Sequence, residues 1–174
     1  MSAPIPETSI HIRIARQDDL PGILAIYNQA IPSHRSTADL TPVTVADRTS
    51  WFEQHEPGWH PIFVAEVEGR MAGWCSLSAY RPGRLALRFT AEISYYIDND
   101  IQRRGVGSAL LRHALQACPG LGIKNVFAIL LERNEGSRRL LEKHGFQQWG
   151  YLPRVADFDG EECGQYYYGL RVAG

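Results

Sequence analysis

Apolar and polar residues alternate along IHIRIA, residues 10–15, with the period of a strand. The period then changes. In DDLPGILAIYNQAI, Ile23, Ile26, Tyr27 and Ala30 share one helical face, Asp18 or Asp19 stands where an N-cap would, and Pro21 falls in the first turn. Residues 32–43 are polar with prolines at both ends and read as a loop. TVADRTSWFEQH predicts a second helix, with Thr44 and Asp47 spaced as a capping box. IFVAEV and MAGWCSLS flank Glu68-Gly69 and predict a β-hairpin. RPGRLAL is a loop, and TAEISYYI is a strand rich in β-branched and aromatic residues. A helix to about Ala117, the strand NVFAILL and the helix NEGSRRLLEKHG closed by Gly145 follow. The remainder, Phe146 to Val172, holds one or two more strands. The order predicts an α/β (α+β) fold with an antiparallel first half and a strand–helix–strand unit in the middle.

Composition changes this picture little. The chain has 174 residues, 44% of them apolar and 21% charged, which is enough for one core. We expect a single domain over 1–174, with residues 1–9 loose. A net charge of −1 gives no field that would draw nucleic acid or an anionic membrane. No apolar run is long enough to span a bilayer, and no secretory leader is visible. Cys75, Cys118 and Cys163 are isolated, and the six histidines show no metal-ligand spacing, so no metal is expected. The histidines read as solvated surface. The tryptophans read as core or dimer contacts. A cytoplasmic, thiol-reduced protein fits.

The turn QRRGVGS, residues 102–108, departs from an ordinary connection. It follows a strand and opens a helix. Gly105 and Gly107 allow a tight backbone, and the first N–H groups of the helix have no partners within it. Those donors, the helix dipole and the charges of Arg103 and Arg104 converge on a site for an anion such as pyrophosphate. A P-loop is excluded because no lysine follows the glycines. A dinucleotide fingerprint is excluded because Leu110 stands where its third glycine belongs.

QRRGVGSALL resembles the Q/R-x-x-G-x-G/A motif of the GNAT N-acetyltransferase superfamily, and ERNEGSRRLLEKHGF is similar to that family's N-x-x-[SA]-x-x-L-[YH]-E-K-x-G-F helix. TADLTPVTVADRTSWF and RFTAEISYYID resemble the branch of phosphinothricin acetyltransferases and L-amino acid N-acetyltransferases. The likeness runs from Ile12 to Leu170. It implies a mixed central sheet of six or seven strands flanked by about four helices, with acetyl-CoA as acetyl donor. By the same resemblance, main-chain groups of Arg103, Arg104, Gly105, Val106, Gly107 and Ser108 hold the pyrophosphate. Tyr95, Tyr96 and Ile97 offer backbone to the pantetheine arm at a splay between strands. Asn134 and Ser137 match positions that touch the cofactor, and Asn134 is equally a helix N-cap. The branch pairs as homodimers through the C-terminal half, here QYYYGL.

Acetyl transfer to an amine needs the amine neutral and the thioester carbonyl polarised. Glu92 is the candidate base. Strand geometry sets Glu92, Ser94 and Tyr96 on one face and Ile93, Tyr95 and Ile97 on the other. A carboxylate in an apolar strand is costly unless it is paired or used. The structural alternative is an ion pair with Arg88 or Arg81. Tyr80 and Arg81 match a substrate loop of the branch, where Arg81 could meet a substrate carboxylate. Leu141 stands where relatives carry a Tyr or His acid, which leaves that role absent, or with water, Tyr80 or Tyr96. VADFDGEECGQYYYGL departs from the K-F-G-R-W-L-D pattern of relatives, which puts phosphinothricin itself in doubt as the acceptor. The acidic run Asp157, Asp159, Glu161 and Glu162 is either a solvated turn or an attraction for a cationic acceptor. The expected activity is N-acetylation of a small primary amine, an amino acid or analogue. The alternatives are a non-catalytic acyl-CoA sensor and a protein or peptide N-acetyltransferase.

Overall fold

The computed structural model describes residues 3–174. Its strands are β1 (Ile10–Ile14), β2 (Ile62–Val67), β3 (Arg70–Ala79), β4 (Thr90–Ile97), β5 (Asn125–Leu131), β6 (Gln147–Phe158) and β7 (Glu161–Arg171). Its α-helices are α1 (Leu20–Ala30), α2 (Val45–Glu53), α3 (Val106–Ala117) and α4 (Glu135–Lys143). The strands form one sheet in the order β1-β2-β3-β4-β5-β7-β6. All pairs are antiparallel except β4 with β5, which α3 joins.

The sheet is apolar on both faces, so its central strands read as runs rather than alternations. In β2, Phe63 and Ala65 enter a core with Val106, Leu110, Leu111 and Ala114 of α3. Ile62 and Val64 enter a second core with Ile23 and Ile26 of α1. Each large apolar side chain so buried is worth roughly 1.5–3 kcal/mol, and this burial clamps α3, with its glycine turn, to the sheet. The expected alternation of β4 holds: Ile93, Tyr95 and Ile97 pack on the α3 face and Tyr96 on the α1 face.

Local predictions hold where a side chain closes its own backbone. Thr44 and Asp47 exchange capping-box bonds, with Thr44 N–H donating to Asp47 at 2.8 Å. Glu68 and Gly69 both take positive φ in the β2–β3 turn. Asp19 is the residue before α1 but makes no cap bond. Its carboxylate is drawn instead to Arg13 at 2.7 Å, and Arg13 also holds Glu66. Residues 1–9 were expected to be loose. Met1 and Ser2 lie outside the described residues, but Ile5 is buried and its N–H donates to the Arg104 carbonyl at 2.9 Å. The tail supplies two strands, and β7 inserts between β5 and β6. That insertion changes the place of QYYYGL: Tyr168 is buried, and the exposed apolar side chains Trp149, Tyr151, Leu152 and Val155 lie on the edge strand β6.

Candidate active site

The parallel pairing of β4 and β5 covers only Thr90–Asn125, Ala91–Val126 and Glu92–Phe127. Beyond Glu92 the two strands part. The β4 backbone groups that face β5 past this point therefore have no partner on that strand. A cleft of about 800 Å³ opens in the gap, lined by Ile93 to Ile97 of β4 and Ala128 to Leu130 of β5. The glycine turn closes one end. Gly105 is the residue before α3 with φ +97°, a conformation that suits glycine alone. Among the described residues, the N–H groups of Gly105 to Ser108 donate to no acceptor in the chain. A Cβ on Gly107 would stand 3.2 Å from Leu140 and 3.6 Å from Ile97, so this glycine lets α3 approach α4 and β4 closely.

Most of the residues expected around an anionic cofactor meet here. Tyr95, Tyr96, Ile97, Arg103, Gly105, Gly107, Ser108, Asn134 and Ser137 all line the cleft, together with Arg35, Arg133, Arg139 and Lys143. Arg104 and Val106 do not. Arg104 donates to the Ala3 carbonyl at 3.1 Å, and the Val106 side chain is buried in the core. Asn134 caps α4 through Ser137 N–H at 3.1 Å while facing the cleft, so its two expected roles share one position. Ser137 Oγ is bonded to the Tyr95 hydroxyl, and Ser108 Oγ lies 2.7 Å from His144 Nε2. Burial pushes the Tyr95 phenol up to about 12, against the lowering effect of the Ser137 contact, so it is protonated at neutral pH. A row of free N–H donors, a wide gap and a cationic rim suit a long anionic thioester such as acetyl-CoA.

Ser94 and Tyr96 are shared with a smaller cavity of about 260 Å³ on the opposite face of the sheet. Its walls are Leu24 and Tyr27 of α1, Arg48 and Trp51 of α2, Trp74, Ser76 and Ser78 of β3, and Glu92, Ser94 and Tyr96 of β4. The 34–43 loop is tied to three of these wall residues. Tyr27 donates to Asp39, Arg48 pairs with the same carboxylate at 3.0 Å, and the Tyr96 hydroxyl donates to the Ser36 carbonyl at 3.1 Å. Arg48 is thus already neutralised. Glu92 is not: among the described residues no hydrogen bond or ion pair reaches its carboxylate, and burial raises its pKa. The expected alternative partners are elsewhere. Arg88 stacks over Phe89 at 4.0 Å and donates to the Leu85 carbonyl. Arg81 is exposed, with φ 56°, and lines neither cavity. Tyr80 packs its ring on Phe127, the register partner of Glu92, with centroids 4.9 Å apart.

The structure narrows two further sequence readings and overturns a third. Leu141 does not face the cleft; it is fully buried in the α3-side core, and Leu140 takes the cleft position. The acidic run lies in the β6–β7 hairpin, where Glu161 pairs with Arg133 and Glu162 with Arg154, so it is a turn rather than a pocket wall. His55 is not a solvated surface residue. Its ring lies between the Trp51 carbonyl, 2.7 Å from Nδ1, and Ser78 Oγ, 2.9 Å from Nε2. Nothing in sequence spacing links residues 55 and 78; the fold does. Arg48 and Trp51 were missed for the same reason.

Comparisons with known proteins agree with this geometry. The model of the acetyltransferase (GNAT) family matches residues 23–146. A Bacillus subtilis protein named "Putative phosphinothricin acetyltransferase YwnH" is 43% identical over 164 residues, covering 94% of this chain and 96% of that one. The L-methionine sulfoximine/L-methionine sulfone acetyltransferase of Pseudomonas aeruginosa is 34% identical over 148 residues, 84% and 86% of the two chains. The crystal structure of a GNAT superfamily phosphinothricin acetyltransferase from Sinorhizobium meliloti, in complex with AcCoA, is similar with a TM-score of 0.88 at 26% identity, covering 95% of this chain and 89% of that one.

Proposed function

The chain belongs to the acetyltransferase (GNAT) family, as an N-acetyltransferase that uses acetyl-CoA, and we propose that its acceptor is the primary amine of a small amino acid or analogue seated beneath α1 and α2. The observation that carries this reading is Glu92, a carboxylate without a partner among the described residues, in a small cavity that meets the strand gap at Ser94 and Tyr96. With Arg48 neutralised by Asp39, the cavity holds one uncompensated negative charge when Glu92 is ionised, and an ammonium group complements it. A volume of about 260 Å³ lies below the roughly 300–1,000 Å³ of sites for drug-sized ligands, which favours a small acceptor over a peptide.

In this reading Glu92 takes a proton from the ammonium, directly or through water. The freed amine attacks across the gap, so that an N–C bond forms as the thioester C–S bond breaks, and the proton that the nitrogen then sheds goes to the leaving thiolate, directly or through water. Backbone N–H groups of β4 that lost their β5 partners stabilise the developing oxyanion. The N–H groups of Gly105 to Ser108, with Arg103, hold the pyrophosphate, and Asn134 and Ser137 flank the pantetheine arm. Tyr80 backs Glu92 through Phe127. Arg81 attracts a substrate carboxylate from the exposed loop.

Two finer features complete the proposal. The exposed apolar side chains of β6 support a homodimer formed along that edge, to be read by light scattering at micromolar concentration. No helix among the described residues is long and apolar enough to cross a membrane, and three buried free cysteines suit a reducing cytoplasm. The function is tested by thiol release from acetyl-CoA across free amino acids, methionine sulfone, methionine sulfoximine, phosphinothricin and polyamines. Turnover confined to small α-amino acids and analogues is expected. No turnover with any amine, despite acetyl-CoA binding, would replace the enzyme reading with a sensor.

A further inference from the structure

Ser78 and His55 meet at the wall of the acceptor cavity, and neither has a part in the chemistry described so far. The direction of their hydrogen bonds follows from what each atom can do. The Trp51 carbonyl can only accept, so His55 Nδ1 carries the proton that spans their 2.7 Å contact. A neutral ring protonated at Nδ1 leaves Nε2 as an acceptor. Ser78 Oγ, 2.9 Å away, must then spend its one proton on Nε2. What remains on Ser78 is lone pairs. Burial lowers the His55 pKa, outweighing the opposing effect of the Trp51 carbonyl, so the ring stays neutral at neutral pH. The Trp51 ring, with its centroid 4.8 Å from that of His55, holds the imidazole in place.

Ser78 is the register partner of Glu92 across β3 and β4, and both side chains line the same cavity. Directly paired residues of antiparallel strands set their Cβ atoms about 4.5–5.5 Å apart. We propose that Ser78 is a second amine-recognition group opposite Glu92, and that His55 is its positioning residue, holding the hydroxyl so that only lone pairs face the acceptor. This rests on the acetyltransferase reading above and adds the group that orients the nucleophile. An ammonium offers three N–H donors. Glu92 accepts one and removes its proton, and Ser78 Oγ accepts another. After the proton has gone, the Ser78 contact keeps the amine from turning, so its lone pair faces the gap at Ser94 and Tyr96.

The test is steady-state kinetics at saturating acetyl-CoA with the best amine of the panel. Losing a hydrogen bond to a charged donor corresponds to roughly tenfold or more in affinity. Ser78→Ala should raise KM for the amine by about tenfold and change kcat by less, with KM for acetyl-CoA unmoved. Ser78→Cys, nearly isosteric but a weak acceptor, should move KM in the same direction, and it serves if the alanine variant folds poorly. His55→Phe removes the orienting acceptor and should also raise KM. The double variant should be no worse than Ser78→Ala, because His55 acts only through Ser78. Nitrogen-15 NMR of the parent should show His55 protonated at Nδ1. An amine KM within twofold of the parent for both serine variants, additive effects of the two sites, or an Nε2-protonated ring would each overturn the inference. None of these touches the enzyme reading, which fails only if the parent acetylates no amine.

Discussion

The two cavities at the end of β4 are built in opposite ways. The anion cradle at one end of the donor cleft is contiguous chain: a strand end, a glycine turn and the first turn of α3, with backbone N–H groups as its principal donors. The acceptor cavity is assembled from side chains of α1, α2, β3 and β4, drawn from positions 24 to 96. A site made of backbone can be written as a short motif, because the motif states the conformation. A site made of scattered side chains has no motif; its chemistry exists only once the sheet register is set. The difference also divides the labour. The backbone cradle is indifferent to most side chains, whereas the side-chain cavity can be retuned one residue at a time.

The largest effect should come from breaking the cradle. Gly105→Glu places a negative charge beside the free N–H groups and should abolish acetyl-CoA binding by calorimetry. Gly105→Ala is the control. Its Cβ meets nothing within 4 Å, so its cost is the left-handed backbone alone, about 1–2 kcal/mol of stability. Equal affinities for parent and glutamate variant would show that the cradle does not carry the anion.

Next is Glu92→Gln, which tests the opposite kind of site. Loss of a general base costs roughly 10²–10⁴-fold in kcat, with partial recovery as pH rises and more amine is already neutral. Acetyl-CoA affinity should stay. Burial raises the Glu92 pKa, so the folded protein binds this proton more tightly than the unfolded chain does. Its carboxylate therefore destabilises the fold progressively as pH rises from the unfolded pKa to the raised folded value, and the penalty is complete above it. The glutamine variant should melt higher than the parent at pH 7, and that gain should vanish below the ordinary carboxylate range. A rate within threefold of the parent across pH 6–9 would remove Glu92 as base.

The same contrast accounts for what was legible in the sequence. Four helices and five strands follow from period changes and turn residues, the tail was legible only as one or two strands, and the donor cleft follows from the glycine turn. The acceptor cavity was visible only at Glu92, because a lone carboxylate in an apolar strand is anomalous wherever the strand lies. His55 gave no such signal: beside EPGW it looks like any loop histidine, and its partner Ser78 is 23 residues away on another element. Leu141 shows another limit, since a family motif gives a position but not where its side chain points.

Leu141 yields the third prediction. Tyr at 141 restores the residue of many relatives, yet the Leu141 side chain is fully buried among core residues rather than open to the cleft. Leu141→Tyr should overpack that core, cost about 1–3 kcal/mol and lower the melting temperature by several degrees. It should give no gain in kcat. A gain above tenfold without loss of stability would show that the α4 side chain reaches the reacting atoms after all.

The smallest effect is expected at Arg81. Its side chain is exposed and outside both cavities, while Arg48 lines the acceptor cavity against Asp39. An exposed charge acts on a substrate through water and is screened by salt over about 8–10 Å. Arg81→Ala should therefore change the amine KM by less than about threefold, and the change should shrink further at high ionic strength. Arg48→Ala should do more, because it removes a cavity wall and leaves Tyr27 alone to hold the Asp39 carboxylate of the 34–43 loop. If Arg81→Ala raises KM more than tenfold and salt leaves that change intact, the guanidinium must contact the acceptor directly. The 80–88 loop would then fold over the cavity when the amine binds, and the acceptor site would be completed by its ligand rather than preformed.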